Sequence, residues 1–185
     1  MAIVLLGDVG GTNTRLQLFR YSVFPTQSES EVLLAEDKLA SQSYPSLQSL
    51  LEYFLQGKEK PQFAVMGIAG PVSDNTCKLT NVGHWPDIVG DQLAVTFHMD
   101  RFRLMNDFEA AGYGVLELKA ADVININEAQ AKEGRPKAVI GAGTGIGECI
   151  LTAVKGEYTV WPGEGGHCDF FPHDDLEVQY AQYIL

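Results

Sequence analysis

The feature that most constrains the fold is a glycine-rich turn between two apolar segments near the N-terminus. Residues 3–7 and 14–19 each have the composition of a β-strand, and Gly10 and Gly11 lie between them. Two strand patterns joined by a short turn that contains glycine predict an antiparallel β-hairpin. The chain therefore builds a sheet from its first residues, and the Gly-Gly pair lets another group approach the backbone closely.

Further strand and helix patterns follow this hairpin. Residues 31–39 are predicted to form a third antiparallel strand, and residues 63–69 form a nearly unbroken apolar run that predicts a buried strand. Residues 46–56 carry leucine and phenylalanine at helical spacing, which predicts an amphipathic helix. Residues 102–105 are predicted to be another short strand, after which Asn106 opens a helix.

The second half of the chain repeats the combination of strands and glycine. Residues 138–140 are predicted to be a strand, and a glycine run follows at residues 141–147. Residues 149–154 and 158–161 are predicted to complete another hairpin. Two glycine loops, each carried by strands, therefore lie far apart in the sequence.

The sequence also suggests where domains meet. The polar segment at residues 125–137 is the best candidate for a linker. We predict a small α/β domain over residues 1–116 and the start of a larger domain over residues 117–185. Asp174 and Glu177 have the pattern of a helix N-terminus, yet the chain ends on apolar residues soon afterwards. We therefore expect this chain to be the front part of a longer protein.

The charge and cysteine content limit the partners and the compartment. A formal net charge of −11 argues against nucleic acid or an anionic membrane as the main partner, because both bind clustered lysine and arginine. ATP stays compatible with this charge, since backbone N–H groups and a metal ion can hold phosphates. Three scattered cysteines indicate a reducing compartment rather than a disulfide framework. With neither a signal-peptide pattern nor a membrane-length apolar run, we expect a cytoplasmic protein.

The first glycine-rich turn has the chemistry of an anion site. It lacks the Gly-Lys-Ser/Thr ending of a P-loop and the spacing of a dinucleotide fingerprint. The N–H groups of Gly10 and Gly11 can nevertheless form a nest for phosphate, to which Thr12 and Asn13 add side-chain donors. Asp8 could hold Mg²⁺ directly or through water. The alternative is an ordinary hairpin turn, in which glycine, aspartate and asparagine are common.

Asn106 and Asp107 lie where a strand ends and a helix begins. With Glu109, Asn106 has the pattern of a capping box, which would leave Asp107 as an ordinary acidic residue of the first helical turn. The functional alternative is a carboxylate at the rim of a cleft that accepts a proton from a hydroxyl group. The two interpretations are compatible, because a capped helix end holds Asp107 rigidly.

Two later loops could also carry chemistry. The glycine run at residues 141–147 misses the dinucleotide fingerprint as well, and with the first turn it suggests two walls around one phosphate chain. Glu164 and His167 could both hydrogen-bond a polyhydroxy ligand, although a surface loop with an incidental histidine is the simpler alternative. A zinc site is not favoured, because only Cys168 and His173 lie near His167 and no C-x₂-C is present.

Taken in order, these motifs resemble the actin/hexokinase superfamily, and most closely bacterial-type glucokinase. The resemblance runs from residue 1 to about residue 175. It rests on a first phosphate motif at residues 7–15, segments at 68–72 and 80–81, a catalytic segment at 106–108, a second phosphate motif at 141–147 and a sugar loop at 162–170. Each motif alone is only moderately specific for the family, whereas the two phosphate motifs, the catalytic segment and the sugar loop in this order are together highly specific. The related repressor/kinase branch carries a cysteine-rich zinc loop after the matching histidine, and the residues after His167 offer no such loop.

The resemblance implies a fold, a reaction and a set of residues. The fold is the actin-like ATPase (ribonuclease H-like) α/β fold, with a mixed sheet and N-terminal β-hairpins. The reaction is transfer of the ATP γ-phosphoryl group to the 6-hydroxyl of glucose, with Mg²⁺ near Asp8 and Asp107 as the general base. The implied sugar-binding residues are Asn106, Asp107, Glu164 and His167. The implied phosphate-binding residues are Gly7, Asp8, Val9, Gly10, Gly11, Thr12, Asn13, Gly143, Thr144 and Gly145.

The resemblance also sets limits and leaves alternatives. The family continues with a further sugar-binding glutamate, an adenosine-binding segment and a closing helix, so we expect the 185-residue chain alone to be inactive or nearly so. Dimers are common in the family, which leaves a homodimer open. Two alternatives are a non-catalytic sugar-sensing protein on the same fold and a hexose kinase with another sugar preference. An NAD-dependent enzyme is disfavoured, because both glycine runs miss the fingerprint.

Overall fold

The computed structural model describes residues 1–22, 31–79, 81–130, 132, 134–143 and 145–184. Contacts within the chain divide it into two units, Met1–Val123 and Ile124–Leu185, each with its own strands. Two residues of the motifs above, Thr80 and the predicted phosphate ligand Thr144, lie outside the described residues.

The described residues of the first unit form eight strands and three α-helices. Its strands are β1 (Ala2–Val9), β2 (Asn13–Tyr21), β3 (Val32–Ala40), β4 (Phe63–Ile68), β5 (Val72–Ser73), β6 (Thr76–Cys77), β7 (Ile88–Val89) and β8 (Arg101–Asn106). Its helices are α1 (Leu47–Leu55), α2 (Gly90–Phe97) and α3 (Asp107–Leu116). The predicted hairpin, third strand, buried strand and first helix are confirmed.

A five-stranded mixed sheet in the order β3-β2-β1-β4-β8 forms the frame of this unit. β1, β2 and β3 pair antiparallel as a meander, whereas β1, β4 and β8 run parallel. Antiparallel neighbours need only a tight turn, while parallel neighbours need a crossover, and helices α1 and α2 lie in the segments that connect β3 to β4 and β4 to β8. The predicted mixed sheet that begins in a hairpin is thus confirmed.

The core of the first unit follows from the alternation of side chains along its strands. On β1, Ile3, Leu5 and Val9 are buried, and they join one hydrophobic cluster with residues of α1. Helix α1 contributes four buried side chains at helical spacing, Leu47, Leu50, Leu51 and Phe54. Its N-terminus is capped by Ser46, whose hydroxyl accepts the Ser49 N–H at 3.1 Å.

The second unit is built on a three-stranded antiparallel sheet. Its strands are β9 (Lys137–Ala142), β10 (Ile146–Val154) and β11 (Glu157–Gly163), in the order β11-β10-β9. Cys149, Leu151 and Val160 are its buried apolar residues. Helix α4 (Asp175–Ile184) follows, and Asp174 caps it by accepting the Glu177 N–H at 2.8 Å, as predicted. Within the described residues, no helix combines the length and apolar composition needed to cross a membrane.

Candidate active site

The first group of predicted site residues lies at the carboxyl edge of the three parallel strands. In the register of the sheet, Val9 at the end of β1 is aligned with Ile68 of β4, and Ile68 with Asn106 of β8. The segments that follow the three strands therefore leave the sheet at the same edge. In open sheets of this kind, ligands bind outside the carboxyl ends of parallel strands.

The glycine turn between β1 and β2 is shaped by close contacts. The Gly10 N–H donates to the carbonyl of Asn13 at 3.0 Å, which closes the turn. A Cβ on Gly11 would lie 2.6 Å from the Cβ of Asn81, so this position has no room for a side chain. The Gly11 backbone is therefore packed closely against Asn81 at the strand edge.

Gly7 and Val9 occupy places inside the sheet instead of on this turn. A Cβ on Gly7 would lie 2.1 Å from the sulfur of Met66, and the Val9 side chain is fully buried. The Val9 carbonyl accepts the N–H of Ala69 at 3.1 Å. Both residues therefore support the turn from within the sheet, and their backbone is engaged in strand pairing.

Ser41 braces the glycine turn from behind. Its hydroxyl donates to the Gly10 carbonyl at 2.7 Å and lies 3.0 Å from the hydroxyl of Thr14, and its N–H donates to the Thr12 carbonyl at 3.0 Å. The side chains of Ser41 and Thr14 are both fully buried. Two carbonyls of the turn are thus fixed by one residue that follows β3, which orients the N–H groups on the other side of the same peptides.

Replacing Ser41 with alanine is expected to destabilise the protein by about 1–3 kcal/mol, because the half-buried Gly10 carbonyl and the buried Thr14 hydroxyl lose their partner. The matched control is Ser43→Ala, an exposed serine of the same 3₁₀ turn, Ser41–Ser43. The free energy of unfolding, measured by denaturant titration, should change by less than about 0.5 kcal/mol in the control. Equal losses in the two variants would contradict the bracing role.

Asp8 points to the opposite face of the sheet from the core. Its side chain is exposed and lines a groove of about 930 Å³, together with Arg15, Gly67 and Tyr113. In the register, Asp8 is aligned with Arg15 on one side and with Gly67 on the other. Among the described residues, no three His, Cys, Asp or Glu side chains come together as a metal cluster. A single accessible carboxylate still fits Mg²⁺, which takes one or two carboxylates and completes its shell with water and phosphate oxygens.

Asn106 caps helix α3 and ties it to the neighbouring loop. Its side-chain oxygen accepts the N–H groups of Phe108 at 2.8 Å and Glu109 at 3.2 Å, and its amide nitrogen donates to the Gly70 carbonyl at 3.2 Å. The predicted cap by Asn106 is confirmed. The second hydrogen bond of a capping box, from the Asn106 N–H to the Glu109 carboxylate, is not formed, and this carboxylate pairs with Arg103 at 3.3 Å instead. Asn106 is nearly buried, with 8% of its surface exposed, so the start of α3 is held firmly at the strand edge.

Asp107 is the first residue of α3 and is half-buried. One carboxylate oxygen accepts the Phe108 N–H at 2.9 Å. A Cβ built on Gly67 would lie 3.7 Å from the Asp107 Cα and 3.8 Å from the Gly7 carbonyl oxygen. Asp107 therefore lies above a glycine of β4, the strand that separates β1, which carries Asp8, from β8, which leads into α3.

Cys77 lies close to the same corner of the first unit. Its side chain is 1% exposed, and a Cβ on Gly70 would lie 3.4 Å from its sulfur. Burial raises the pKa of the Cys77 thiol, and the negative charges of Asp107 and Asp87 raise it further. A raised pKa leaves less thiolate at any given pH, which makes this sulfur a poor nucleophile.

Alkylation at pH 8 should therefore modify the three cysteines at different rates. Cys168 is exposed, whereas Cys77 and Cys149 are buried and burial raises the pKa of both thiols. We expect iodoacetamide to label Cys168 at least about tenfold faster than the other two, as measured by peptide mass spectrometry over time. Comparable labelling of Cys77 in the native protein would show that its corner of the unit opens.

The second group of predicted site residues lies at one end of the sheet in the second unit. Gly143 and Gly145 form the turn between β9 and β10, closed by the Gly143 N–H donating to the Gly145 carbonyl at 2.8 Å. In the register of β10 and β11, Glu148 is aligned with Gly163, so the residues that follow β11 emerge near this turn. The predicted hairpins on both sides of β10 are confirmed.

Glu164 and His167 are presented to solvent by a short 3₁₀ turn, Gly165–His167. Nε2 of His167 lies 3.6 Å from Oε2 of Glu164, and the two side chains are 82% and 62% exposed. Polar groups this close and this accessible can donate to and accept from adjacent hydroxyl groups of one small ligand. Each unit thus carries a glycine turn and a pair of polar side chains near it.

Comparison with known proteins identifies close relatives of this chain. A family model described as Glucokinase matches residues 5–185. The glucokinase of Nostoc sp. PCC 7120 is 37% identical over 189 residues, which cover 100% of this chain and 53% of that protein. The glucokinase of Helicobacter pylori J99 is 32% identical over 186 residues, covering 97% of this chain and 52% of that protein. The chain spans about half the length of the curated relatives it matches.

Solved structures agree with the fold. A glucokinase from an Antarctic psychrotroph matches with a TM-score of 0.77 at 28% identity, over 98% of this chain and 56% of the other. A glucokinase from Balamuthia mandrillaris, solved in complex with glucose, matches with a TM-score of 0.70 at 20% identity, over 99% of this chain and 53% of the other. A ROK hexokinase from Thermus thermophilus matches with a TM-score of 0.56 at 19% identity, over 92% and 54%. The predicted actin-like α/β fold is confirmed by these matches.

Proposed function

This chain belongs to the glucokinase family, and on that basis we propose that it carries the phosphate turns, the general base and the sugar loop of an ATP-dependent glucose kinase. The observation that supports this most strongly is the placement of Asp107. A capped helix end holds its carboxylate at the strand edge where the Gly10–Gly11 turn also lies.

Asp107 is proposed as the general base. Its carboxylate accepts the proton of the glucose 6-hydroxyl while that oxygen attacks the γ-phosphorus of ATP in line. The bond between the γ-phosphorus and the bridging oxygen breaks, and ADP leaves with the electron pair. Phosphoryl transfer requires mainly positioning and charge stabilisation, which a rigid carboxylate and backbone donors supply without a covalent intermediate.

The two glycine turns are proposed to hold the phosphates. The N–H groups of Gly11 and Thr12 in the first unit, and of Gly145 in the second, are donors suited to phosphate oxygens. Gly143 would contribute by closing the second turn, since its N–H donates to the Gly145 carbonyl. Thr12 and Asn13 are proposed to add side-chain donors, and Thr144 is proposed to belong to the second phosphate-binding turn. Bound at Asp8, Mg²⁺ would neutralise charge on the phosphates.

The sugar is proposed to be held by the side chains of the 3₁₀ loop and by the residues at the cap of α3. Glu164 and His167 supply an acceptor and a ring nitrogen that are both exposed. Asn106 keeps one amide N–H beyond the one that it donates to Gly70. These groups fit a polyhydroxy ligand, because such a ligand needs several directional donors and acceptors.

The 185-residue chain covers about half of its relatives, so we propose that turnover needs the remaining half, which would supply the adenosine pocket. A coupled ADP-release assay tests the function on the full-length product of the gene, with glucose, mannose, fructose or no sugar, and with the 185-residue chain beside it. Glucose-dependent ADP release by the full-length protein supports the kinase. A folded full-length protein without sugar-dependent release would favour the sugar-sensing alternative, and robust turnover by the 185-residue chain would contradict the need for a second half.

A further inference from the structure

Glu148 contacts the sugar loop in a way that the proposed reaction does not use. It lies on β10, three residues after the Gly143–Gly145 turn, and one of its carboxylate oxygens accepts the Gly165 N–H at 2.9 Å. A Cβ on Gly165 would lie 2.2 Å from that oxygen, and one on Gly163 would lie 2.8 Å from it. Both glycines therefore pack directly on the carboxylate, and a side chain at either position would require the Glu148 carboxylate to move.

The hydrogen bond fixes the peptide plane from which Glu164 extends. The Gly165 nitrogen and the Glu164 carbonyl belong to the same planar peptide group. Glu148 holds the N–H of this group, and the N–H of His167 donates to its carbonyl at 3.0 Å. One carboxylate thus sets the orientation of the peptide that joins Glu164 to the turn on which His167 lies.

The backbone of β10 supports the same loop one residue further on. A Cβ on Gly166 would lie 1.9 Å from the carbonyl oxygen of Ile146, so the loop lies flat against the strand. The glycine turn does not depend on the Glu148 side chain in this way, because Gly143 bonds to Gly145 and Ile146 pairs with Ala142 through the backbone. Loss of the carboxylate should therefore disturb the sugar loop and leave the neighbouring phosphate turn in place.

We propose that Glu148 is a positioning residue that holds Glu164 and His167 in the arrangement that binds the sugar, an inference that rests on the proposed function of this loop. Glu148 acts as a hydrogen-bond acceptor and does not touch the sugar. An amide in its place can accept the same N–H, whereas a methyl group cannot. The difference between these two replacements separates an acceptor role from a role of the negative charge.

The test uses the full-length gene product with Glu148→Ala and Glu148→Gln. The matched control is Glu157→Ala, an exposed glutamate at the opposite end of the same hairpin, where Glu157 is aligned with Val154. We expect Glu148→Ala to raise the KM for glucose by about ten- to hundredfold and to leave the KM for ATP within about twofold. Glu148→Gln should stay within about threefold of the unaltered protein for both substrates, and so should the control.

Three results would overturn the proposal. Unchanged glucose KM in Glu148→Ala would show that the loop needs no brace. Equal impairment in Glu148→Ala and Glu148→Gln would assign the effect to charge or to direct sugar contact. A parallel rise in the KM for both substrates would indicate general damage to the unit.

A second readout does not depend on the sugar. Hydrogen exchange of the Gly165 amide, followed by NMR, should be at least about tenfold faster in Glu148→Ala than in the unaltered protein or in Glu148→Gln. Unchanged exchange at Gly165 would refute the brace itself. If the unaltered protein neither binds nor phosphorylates glucose, the proposed function fails, and the exchange measurement still decides whether Glu148 orders this loop.

Discussion

Replacing Asp107 with asparagine is expected to lower kcat for glucose phosphorylation by about 10²- to 10⁴-fold, the range contributed by a general base. Asparagine has nearly the same shape and can still accept the Phe108 N–H that Asp107 accepts at 2.9 Å. The fold and the glucose KM should therefore change little, while the proton of the sugar hydroxyl loses its acceptor. Steady-state kinetics of the full-length gene product, with both substrates varied, measures the effect.

The matched control for this experiment is Asp100→Asn. Asp100 is exposed and lies just before β8, whereas Asp107 lies just after it, so the two aspartates flank the same strand. The control should retain kcat within about twofold. A kcat for Asp107→Asn within tenfold of the unaltered protein would remove Asp107 from the role of base and leave it as a residue of the helix N-terminus.

Truncating Phe54 to alanine is expected to cost about 3–5 kcal/mol of stability, because a large side chain leaves a cavity in a packed core. Phe54 lies on α1, is 1% exposed and belongs to the main hydrophobic cluster of the first unit. The Lys58 ammonium also lies 4.7 Å from the centre of its ring, and this contact would be lost. Denaturant titration followed by circular dichroism gives the change in free energy of unfolding.

Tyr53→Ala provides the comparison for Phe54, since it removes an aromatic ring from the adjacent position of the same helix. Tyr53 is 57% exposed, and its ring contacts that of Tyr44 at a centroid distance of 5.7 Å. We expect a loss of about 1 kcal/mol or less for this variant. Similar losses at positions 53 and 54 would show that α1 does not pack through the face described above.

The parts of the fold that sequence predicts are those with strong local patterns. The first hairpin has glycine between two strand-like segments, and α1 has apolar residues at helical spacing, so both are predicted correctly. Helix α2 and the small sheet of β5, β6 and β7 are not predicted. Helix α2 begins at Gly90 and has only two buried residues, and each strand of the small sheet has two residues, too few to form a period.

The residues of the candidate site likewise fall into those that a local sequence pattern indicates and those that it does not. Asp107, Glu164 and His167 are candidates that sequence alone provides, because they stand in recognisable motifs next to glycine or at a helix start. Ser41 and Glu148 are not found, because their partners are distant in the sequence: Ser41 bonds to Gly10, and Glu148 bonds to Gly165. Only the pairing of strands brings such residues together, and local patterns carry no information on it.

Identification of the product tests the proposed function most directly. The full-length gene product would be incubated with ATP, Mg²⁺ and glucose, and the reaction followed by ³¹P NMR. We predict that ADP and glucose 6-phosphate appear in equal amounts and that Asp107→Asn forms both at least about 100-fold more slowly. Release of ADP with inorganic phosphate, or a phosphorylated sugar in undiminished yield from Asp107→Asn, would contradict a glucose kinase that uses Asp107 as its base.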